Sequence, residues 1–355
     1  MTSEIHLFIL WEKSHSKWDE IVKDITGKFS IIQFVKVHWT PRHFSRNLAR
    51  FYGLDIPRIS QKEEQCGNGP FLLLIVEDAN PIYVERQTTK GKTLVNSNMY
   101  DAKQKYRMWT GGGYRIHGTN TEEESKHDLA LLCNKDISEF YGEKWSGQIT
   151  EMEKNLIGLD GFESMEQLFT LLNRTVNYVV LRNFEELPDR YTSTSHGDID
   201  LLTDDLKKVV RLTNGEKVFN PSYRVHYKIV IGGEDVYFDF RFVGDRYMDR
   251  VWERDIMKSR FLHGKGVYIP ERESHFYSLL YHVLVHKRRI KSHYKKVLIE
   301  LSRELNIGLK ERDFSDPFIL KSYLDGYMKE KEYHYTRPFD RSVFFNKSLI
   351  KKEFK

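Results

Sequence analysis

Two aspartates one residue apart mark the strongest candidate for chemistry in this chain. Asp198 and Asp200 lie in the run Gly197-Asp198-Ile199-Asp200-Leu201-Leu202, and a strand places alternate side chains on the same face. A third acid, Asp239, stands between two phenylalanines in a second apolar run, where β propensity disfavours it. Three carboxylates on neighbouring strands repel one another unless a cation neutralises them, and their oxygens suit Mg²⁺ or Mn²⁺. The pattern therefore predicts a divalent-metal site for phosphoryl or nucleotidyl transfer, with Asp198, Asp200 and Asp239 as catalytic metal ligands.

Two arginines near these acids leave a salt-bridge alternative open. Arg241 follows Asp239 by two residues and shares its strand face, so it could pair with that acid or bind phosphate. Arg182 closes the apolar run 177–182 and could also offset part of the negative charge. If the acids form salt bridges, removing one should destabilise the fold. If they hold a metal, replacing one with Asn should relieve repulsion, preserve or raise metal-free stability, and abolish catalysis.

Residues 165–260 resemble the nucleotidyltransferase superfamily of the polymerase-β type. The resemblance rests on the run 197–202 and on Tyr237-Phe238-Asp239-Phe240. The lead-in Tyr178-Val179-Val180-Leu181-Arg182-Asn183 is similar to nucleotidyltransferase-like proteins often found among surface-glycan genes. The resemblance implies a nucleoside triphosphate substrate, with phosphate contacts from Gly197. The family's usual Gly-Ser pair is replaced here by Leu181-Arg182-Asn183, so Arg182 is expected to bind phosphate in its place.

A histidine beside a glycine is the main candidate in the first part of the chain. His117 lies in the run 113–121, after the Gly-Pro-led apolar strand 69–76 and after Asn96 and Arg107. This order resembles nucleoside-diphosphate kinases over about residues 5–140. It implies a ferredoxin-like β-α-β-β-α-β core, with His117 as the phosphorylated residue, Arg107 binding phosphate and Asn96 in the phosphate loop. The alternative is a diverged domain that binds a nucleotide or only supports its neighbour.

The last third of the chain carries the excess of positive charge. Residues 261–355 contain 20 Lys and Arg against 12 Asp and Glu, although the whole chain is only +5. Basic residues cluster in the predicted helix around 279–297, where His286 and Lys287 are expected to face the carboxylates, and Lys287 to bind phosphate. The alternative is a solvated basic face. A modest excess of this kind suits phosphate-bearing substrates, so nucleic acid is not the expected partner.

The order of elements predicts an α+β protein with boundaries in polar, glycine-containing stretches. We expect a nucleoside-diphosphate-kinase-like domain at 1–145, a mixed-sheet nucleotidyltransferase-like domain at 146–260 and a basic helical subdomain at 261–355. The apolar and turn patterns predict strands at 5–10, 29–39, 71–76, 177–182, 197–202, 224–231 and 236–242, and helices at 17–27, 41–52, 121–132, 165–174 and from 273 onward. Gly232-Gly233 predicts a hairpin between the last two strands.

Composition narrows the class of protein further. Two cysteines exclude a disulfide framework, and no apolar run is long enough for a transmembrane segment, so a cytoplasmic protein is expected. The resulting hypothesis is a metal-dependent nucleotidyl- or phosphotransferase that uses a nucleotide and a small-molecule or glycan acceptor, such as the hydroxyl of a sugar or polyol phosphate. The alternatives are a nucleotide-binding regulatory protein without catalysis and a toxin-like enzyme that nucleotidylates a protein or RNA.

Overall fold

The apolar runs of the sequence form the strands of two separate mixed sheets. A computed structural model of the chain describes residues 3–54, 56–88, 91–191 and 198–350. The chain divides into two units, Met1–Asp160 and Gly161–Lys355, each with its own sheet and helices, so the α+β class is confirmed. Within the described ranges, no helix combines the length and the apolar character needed to cross a membrane.

In the first unit, the central sheet has the strand order β6-β1-β3-β2-β7 among the described residues. In the part of this sheet that the structure describes, β2 and β7 are parallel and the other neighbours are antiparallel. The strands of this unit are β1 (Glu4–Leu10), β2 (Ser30–His38), β3 (Phe71–Asp78), β4 (Tyr83–Thr88), β5 (Gly91–Asn96), β6 (Ile116–Gly118) and β7 (Thr150–Glu153). Its α-helices are α1 (Trp18–Thr26), α2 (Phe44–Tyr52), α3 (Ile56–Cys66), α4 (Ser97–Trp109) and α5 (Glu122–Cys133).

Local signals explain where the predicted helices of this unit begin and end. Helix α1 stops at Gly27, as predicted, and α5 begins after Thr121, whose hydroxyl accepts a hydrogen bond from the Glu124 amide at 3.2 Å. The hairpin β4–β5 and the helices α3 and α4 were not predicted. The residues of the hairpin alternate between exposed and partly buried, so its strands have no buried apolar face to signal them. Helix α4 buries the charged Lys103 on the same side as Met99, which weakens the apolar period of that helix.

In the second unit, the main sheet has the order β10-β11-β12-β9-β8 among the described residues. Strands β9 and β12 run parallel in the middle, and the remaining neighbours are antiparallel. The strands of this unit are β8 (Tyr178–Val180), β9 (Ile199–Thr203), β10 (Glu216–Lys217), β11 (His226–Ile231), β12 (Glu234–Phe242), β13 (Phe261–Leu262) and β14 (Tyr268–Ile269). Its α-helices are α6 (Met165–Thr175), α7 (Leu206–Thr213), α8 (Arg250–Ser259), α9 (Arg272–Val285), α10 (Ser292–Glu304) and α11 (Pro317–Glu330).

The C-terminal helices share one apolar core with this sheet. Val179 of β8 and Leu202 of β9 belong to the same buried cluster as Trp252 of α8, Leu280 of α9 and Leu324 of α11. Burial of these side chains holds α9 against this sheet, whose interior strands β9 and β12 carry Asp200 and Asp239. The helical segment after residue 261 is therefore part of the wall of the site in this unit.

Candidate functional site

Two strands and a hairpin bring the acids of the second unit together. Asp239 lies opposite Asp200 in the parallel register of β12 and β9, and opposite His226 in the antiparallel hairpin of β11 and β12. Asp198 precedes β9. The Nδ1 atom of His226 lies 3.2 Å from the Asp198 carboxylate and 3.1 Å from the Asp239 carboxylate. We call Asp198, His226 and Asp239 the acidic centre, because one possible metal-binding atom from each of them lies within 4.8 Å of the other two.

Asp200 takes a different part in the arrangement. Its carboxylate is directed at the Arg182 guanidinium, and both side chains are buried. Burial raises the pKa of Asp200, and the charge of Arg182 opposes that rise. A second Arg182 contact goes to the Tyr247 hydroxyl at 3.0 Å. Asp200 therefore enters the site as one half of a buried ion pair beside the acidic centre.

Arg241 supplies a second positive charge at the same sheet face. Its guanidinium lies 3.4 Å from an Asp239 oxygen and 3.4 Å from an Asp245 oxygen, and its side chain is 3% exposed. The ring of Tyr247 covers it at 4.2 Å. Both arginines that the sequence offered as salt-bridge partners thus contact the acids in the structure. The negative charge at this face is already offset by Arg182, Arg241 and His226.

Hydrogen bonding and charge shift the pKa values within the acidic centre in opposite directions. The hydrogen bond to Asp239 raises the pKa of His226, although burial works against it, and the charge of Asp198 adds to the rise. Burial by itself would raise the pKa of Asp239, but His226 and Arg241 outweigh it and lower that pKa. Burial raises the pKa of the more exposed Asp198. A protonated His226 between two carboxylates is the favoured state of the metal-free centre.

The acidic centre opens into a cleft of about 590 Å³. Three basic residues that follow the C-terminal end of α9 also line this cleft, and we call them the basic wall: Lys287, Arg288 and Lys291. The positive charge of Lys287 opposes the rise that burial causes in the pKa of Asp198 and of Asp200. The predicted phosphate contact at Gly197 lies outside the described residues.

The two histidines of α9 and its C-cap lie in the cleft wall as buried neutral groups. Burial lowers the pKa of His286 to about 3, and its Nε2 atom lies 2.9 Å from the backbone carbonyl of Tyr247. Burial also lowers the pKa of His282, which contacts the Tyr247 hydroxyl. Of the two residues that the sequence analysis expected to face the acids, His286 lines the cleft, but its ring is hydrogen-bonded to backbone carbonyls. Lys287 lines the same cleft and is the one that carries a positive charge.

In the first unit, His117 lies on β6 and is partly buried. Its Nε2 atom is 2.8 Å from the carboxylate of Asp128 on α5, and the rings of Phe51 and Tyr52 meet it edge-on at 5.1 and 5.7 Å. Burial opposes ionisation of Asp128, but hydrogen bonds from His117 and His127 outweigh burial and lower the pKa of Asp128. The imidazole is therefore held in one orientation by a carboxylate.

The two other residues that the sequence placed around His117 have different environments. Arg107 donates from Nε to the carbonyl oxygen of Ile116 at 3.0 Å, so it lies beside the strand that carries the histidine. Asn96 is fully buried. It caps α4 by accepting a hydrogen bond from the Met99 amide at 3.3 Å, and it donates to Asp78 at 2.9 Å. Its amide is used inside the protein, and we leave it out of any phosphate site.

Comparison with known proteins adds little to this geometry. No protein-family model matches the chain, and no curated protein matches it. One similar solved structure is the nucleoside diphosphate kinase of Aquifex aeolicus, at 17% identity and a TM-score of 0.25, covering 36% of this chain and 94% of that chain. A likeness of this strength leaves the chemistry of the chain to be argued from its own residues.

Sequence reasoning missed one member of the acidic centre, although a signal for it was present. A two-residue turn at Gly232-Gly233 pairs Ile231 with Glu234. Counting five residues back from Ile231 and five residues forward from Glu234 then places His226 opposite Asp239. In the first unit, Asp128 was also missed, because no local pattern links a residue on α5 with His117 on β6.

Proposed function

We propose that the second unit is a divalent-metal-dependent nucleotidyl- or phosphotransferase of the nucleotidyltransferase-like kind. The observation that carries the proposal is a cleft that is lined both by two carboxylates lying close together and by the cationic side chains of the basic wall. Carboxylates that hold a cation and basic groups that hold phosphate oxygens are the two parts that phosphoryl chemistry needs.

The donor set of the acidic centre fits a divalent cation. Asp198 and Asp239 would hold Mg²⁺ or Mn²⁺ through carboxylate oxygens, and the cation would neutralise charge that develops on the transferred phosphate. In the metal-free protein, His226 supplies positive charge at this position, so the cation would take over that role and His226 would be neutral. Asp200 would remain paired with Arg182.

The basic wall would bind the phosphates of a nucleoside triphosphate. Lys287 is half-buried and lines the same cleft as Asp198 and Asp200, so it is placed to contact a phosphate group next to the cation. Arg288 and Lys291 line the same cleft and would contact more distal phosphates. In nucleotidyl transfer, an acceptor hydroxyl oxygen forms the new bond to the α-phosphorus, pyrophosphate leaves, and the hydroxyl proton goes to solvent or to a carboxylate of the centre.

The test combines turnover with metal binding. The full chain is incubated with ATP, CTP, GTP and UTP labelled in the α-phosphate, with Mg²⁺ or Mn²⁺ and a set of sugar and polyol phosphates. Pyrophosphate release with transfer of label to the acceptor is expected. It should be lost in Asp198→Asn and Asp239→Asn, and kept in Asp204→Asn, an exposed acid just after β9 that serves as a matched control.

Metal binding gives a readout that does not need the right acceptor. Mn²⁺ should raise the melting temperature of the wild-type protein, because a ligand of the folded state stabilises it by mass action. The increase should be absent in the two acidic-centre variants and present in Asp204→Asn. Equal increases in all four proteins would overturn the metal site. Nucleotide binding without turnover under every condition would support the regulatory alternative.

A second candidate function concerns the first unit, and a specific contact favours it. Asp128 holds His117 through Nε2, so the other ring nitrogen, Nδ1, would form a bond to the γ-phosphorus of a nucleoside triphosphate, and the nucleoside diphosphate would leave. Arg107 lies next to the same strand, and its terminal guanidinium nitrogens would contact the phosphate. This arrangement supports the kinase-like hypothesis drawn from the sequence.

A further inference from the structure

A second cleft of about 850 Å³ adjoins the first one within the second unit. Arg224 and Asp340 line both clefts, so the two share a wall. The second cleft, which we call the arginine groove, has the size of a small-molecule site. Its lining includes four arginines, two exposed aromatic rings and two aspartates: Arg224, Arg246, Arg337, Arg341, Tyr223, Phe339, Asp245 and Asp340.

The charge of the arginine groove is positive. Both of its acids are buried and engaged, since Asp245 contacts Arg241 and Asp340 lies 3.6 Å from Arg224. Arg337 and Arg341 are exposed at the mouth. A guanidinium presents several N–H donors in one plane and matches the oxygens of a phosphate group, so this set favours a phosphate-bearing ligand.

Aromatic faces accompany the arginines. The ring of Phe339 is 51% exposed and that of Tyr223 is 40% exposed. The guanidinium of Arg246 lies 5.4 Å from the first ring, and that of Arg341 lies 6.0 Å from the second. A large exposed ring covers the apolar face of a ligand, while the adjacent cation binds its charged end. The groove therefore suits a compact molecule with both a carbon skeleton and a phosphate.

We propose that the arginine groove is the acceptor site, and that the acceptor is a phosphorylated sugar or polyol recognised through its phosphate. The transfer step rests on the proposed function, but binding in the groove does not. Arg224 and Asp340 stand at the boundary of the two clefts, so a molecule whose phosphate lies among the arginines can extend a hydroxyl toward the acidic centre. That hydroxyl oxygen bonds to the α-phosphorus of the nucleotide, and pyrophosphate departs.

The test measures binding first and transfer second, both on the full chain. Isothermal titration with glycerol 3-phosphate, ribitol 5-phosphate and glucose 6-phosphate is compared with titration of glycerol, ribitol and glucose. At least one phosphate is expected to bind more tightly than its dephosphorylated form. The double variant Arg337→Gln/Arg341→Gln should weaken that binding about tenfold or more, because two charged hydrogen-bond donors are lost. Arg312→Gln, an exposed arginine outside both clefts, should bind as the wild type does.

The outcomes separate this proposal from the proposed function. If transfer occurs but the double variant leaves the acceptor KM unchanged, the acceptor site is elsewhere and the groove proposal fails while the function stands. If the phosphate binds and the double variant weakens it, but no nucleotide is turned over, the groove stands and the function fails. Failure of all three phosphates to bind at millimolar concentration, or tight binding only of a single-stranded oligoribonucleotide, would overturn the groove proposal.

Discussion

Replacing Asp200 with Asn tests whether the site face is held by a buried ion pair. Asp200 and Arg182 are both buried, with 11% and 5% of their side chains exposed. Removing one charge of such a pair leaves the other without compensation and costs about 3 kcal/mol. For a unit of this size, each kcal/mol shifts the melting temperature by about 2–4 °C, so Asp200→Asn should lower it by roughly 6–12 °C. This reverses the expectation that relief of repulsion would stabilise the metal-free protein.

The matched comparison is Asp198→Asn. Its side chain is 39% exposed and its ion-pair partner is the histidine of the acidic centre, so the loss should be under about 1 kcal/mol. Differential scanning calorimetry of the metal-free full chain measures both variants. The double variant Arg182→Met/Asp200→Asn should lose less stability than the two single changes added together, because the uncompensated buried charge is gone.

Two results would refute this reasoning. An unchanged or higher melting temperature in Asp200→Asn would mean that Arg182 does not stabilise the acid, and that repulsion among the acids outweighs the ion pair. Additive effects in the double variant would mean that the two side chains do not act as a pair.

Three further predictions follow from single contacts. Lys287→Met should weaken binding of a nucleoside triphosphate about tenfold in a fluorescence titration, because one charged phosphate contact is lost, and an unchanged Kd would contradict the basic wall. The metal-free second unit should lose stability as pH falls from about 6.5 toward 3, because the unfolded chain protonates His286 near pH 6.5 and the folded chain only at about 3. His286→Asn should flatten that slope in calorimetry at several pH values. If His117 is phosphorylated by γ-labelled ATP, an acid-labile label should be absent from His117→Ala and weaker in Asp128→Asn, and a label of equal strength in all three proteins would place the phosphate elsewhere.

Several parts of this protein are readable from the sequence because they depend on neighbours along the chain. Side chains alternate between the two faces of a strand, so the run 197–202 places its two aspartates on one face. The residues that cap α5 stand next to that helix in the sequence. The Gly232-Gly233 turn determines the hairpin register, and through it the pairing of His226 with Asp239. These features need only the period of a strand and the geometry of a turn.

Other parts of the site were decided by tertiary packing. The parallel register of β9 and β12 places Asp200 beside Asp239, and the link between those strands contains the helix α7 and the two strands β10 and β11. The Arg182–Asp200 pair depends on the antiparallel pairing of β8 with β9, because Arg182 directly follows the end of β8. The end of α9 reaches the acids only because Leu280 and its neighbours share a core with the sheet. Burial then turns His286 into a neutral wall residue and leaves Lys287 as the charged one. Whether a basic residue is solvated or faces a cleft depends on which distant apolar surface its helix covers, and no local pattern records that choice.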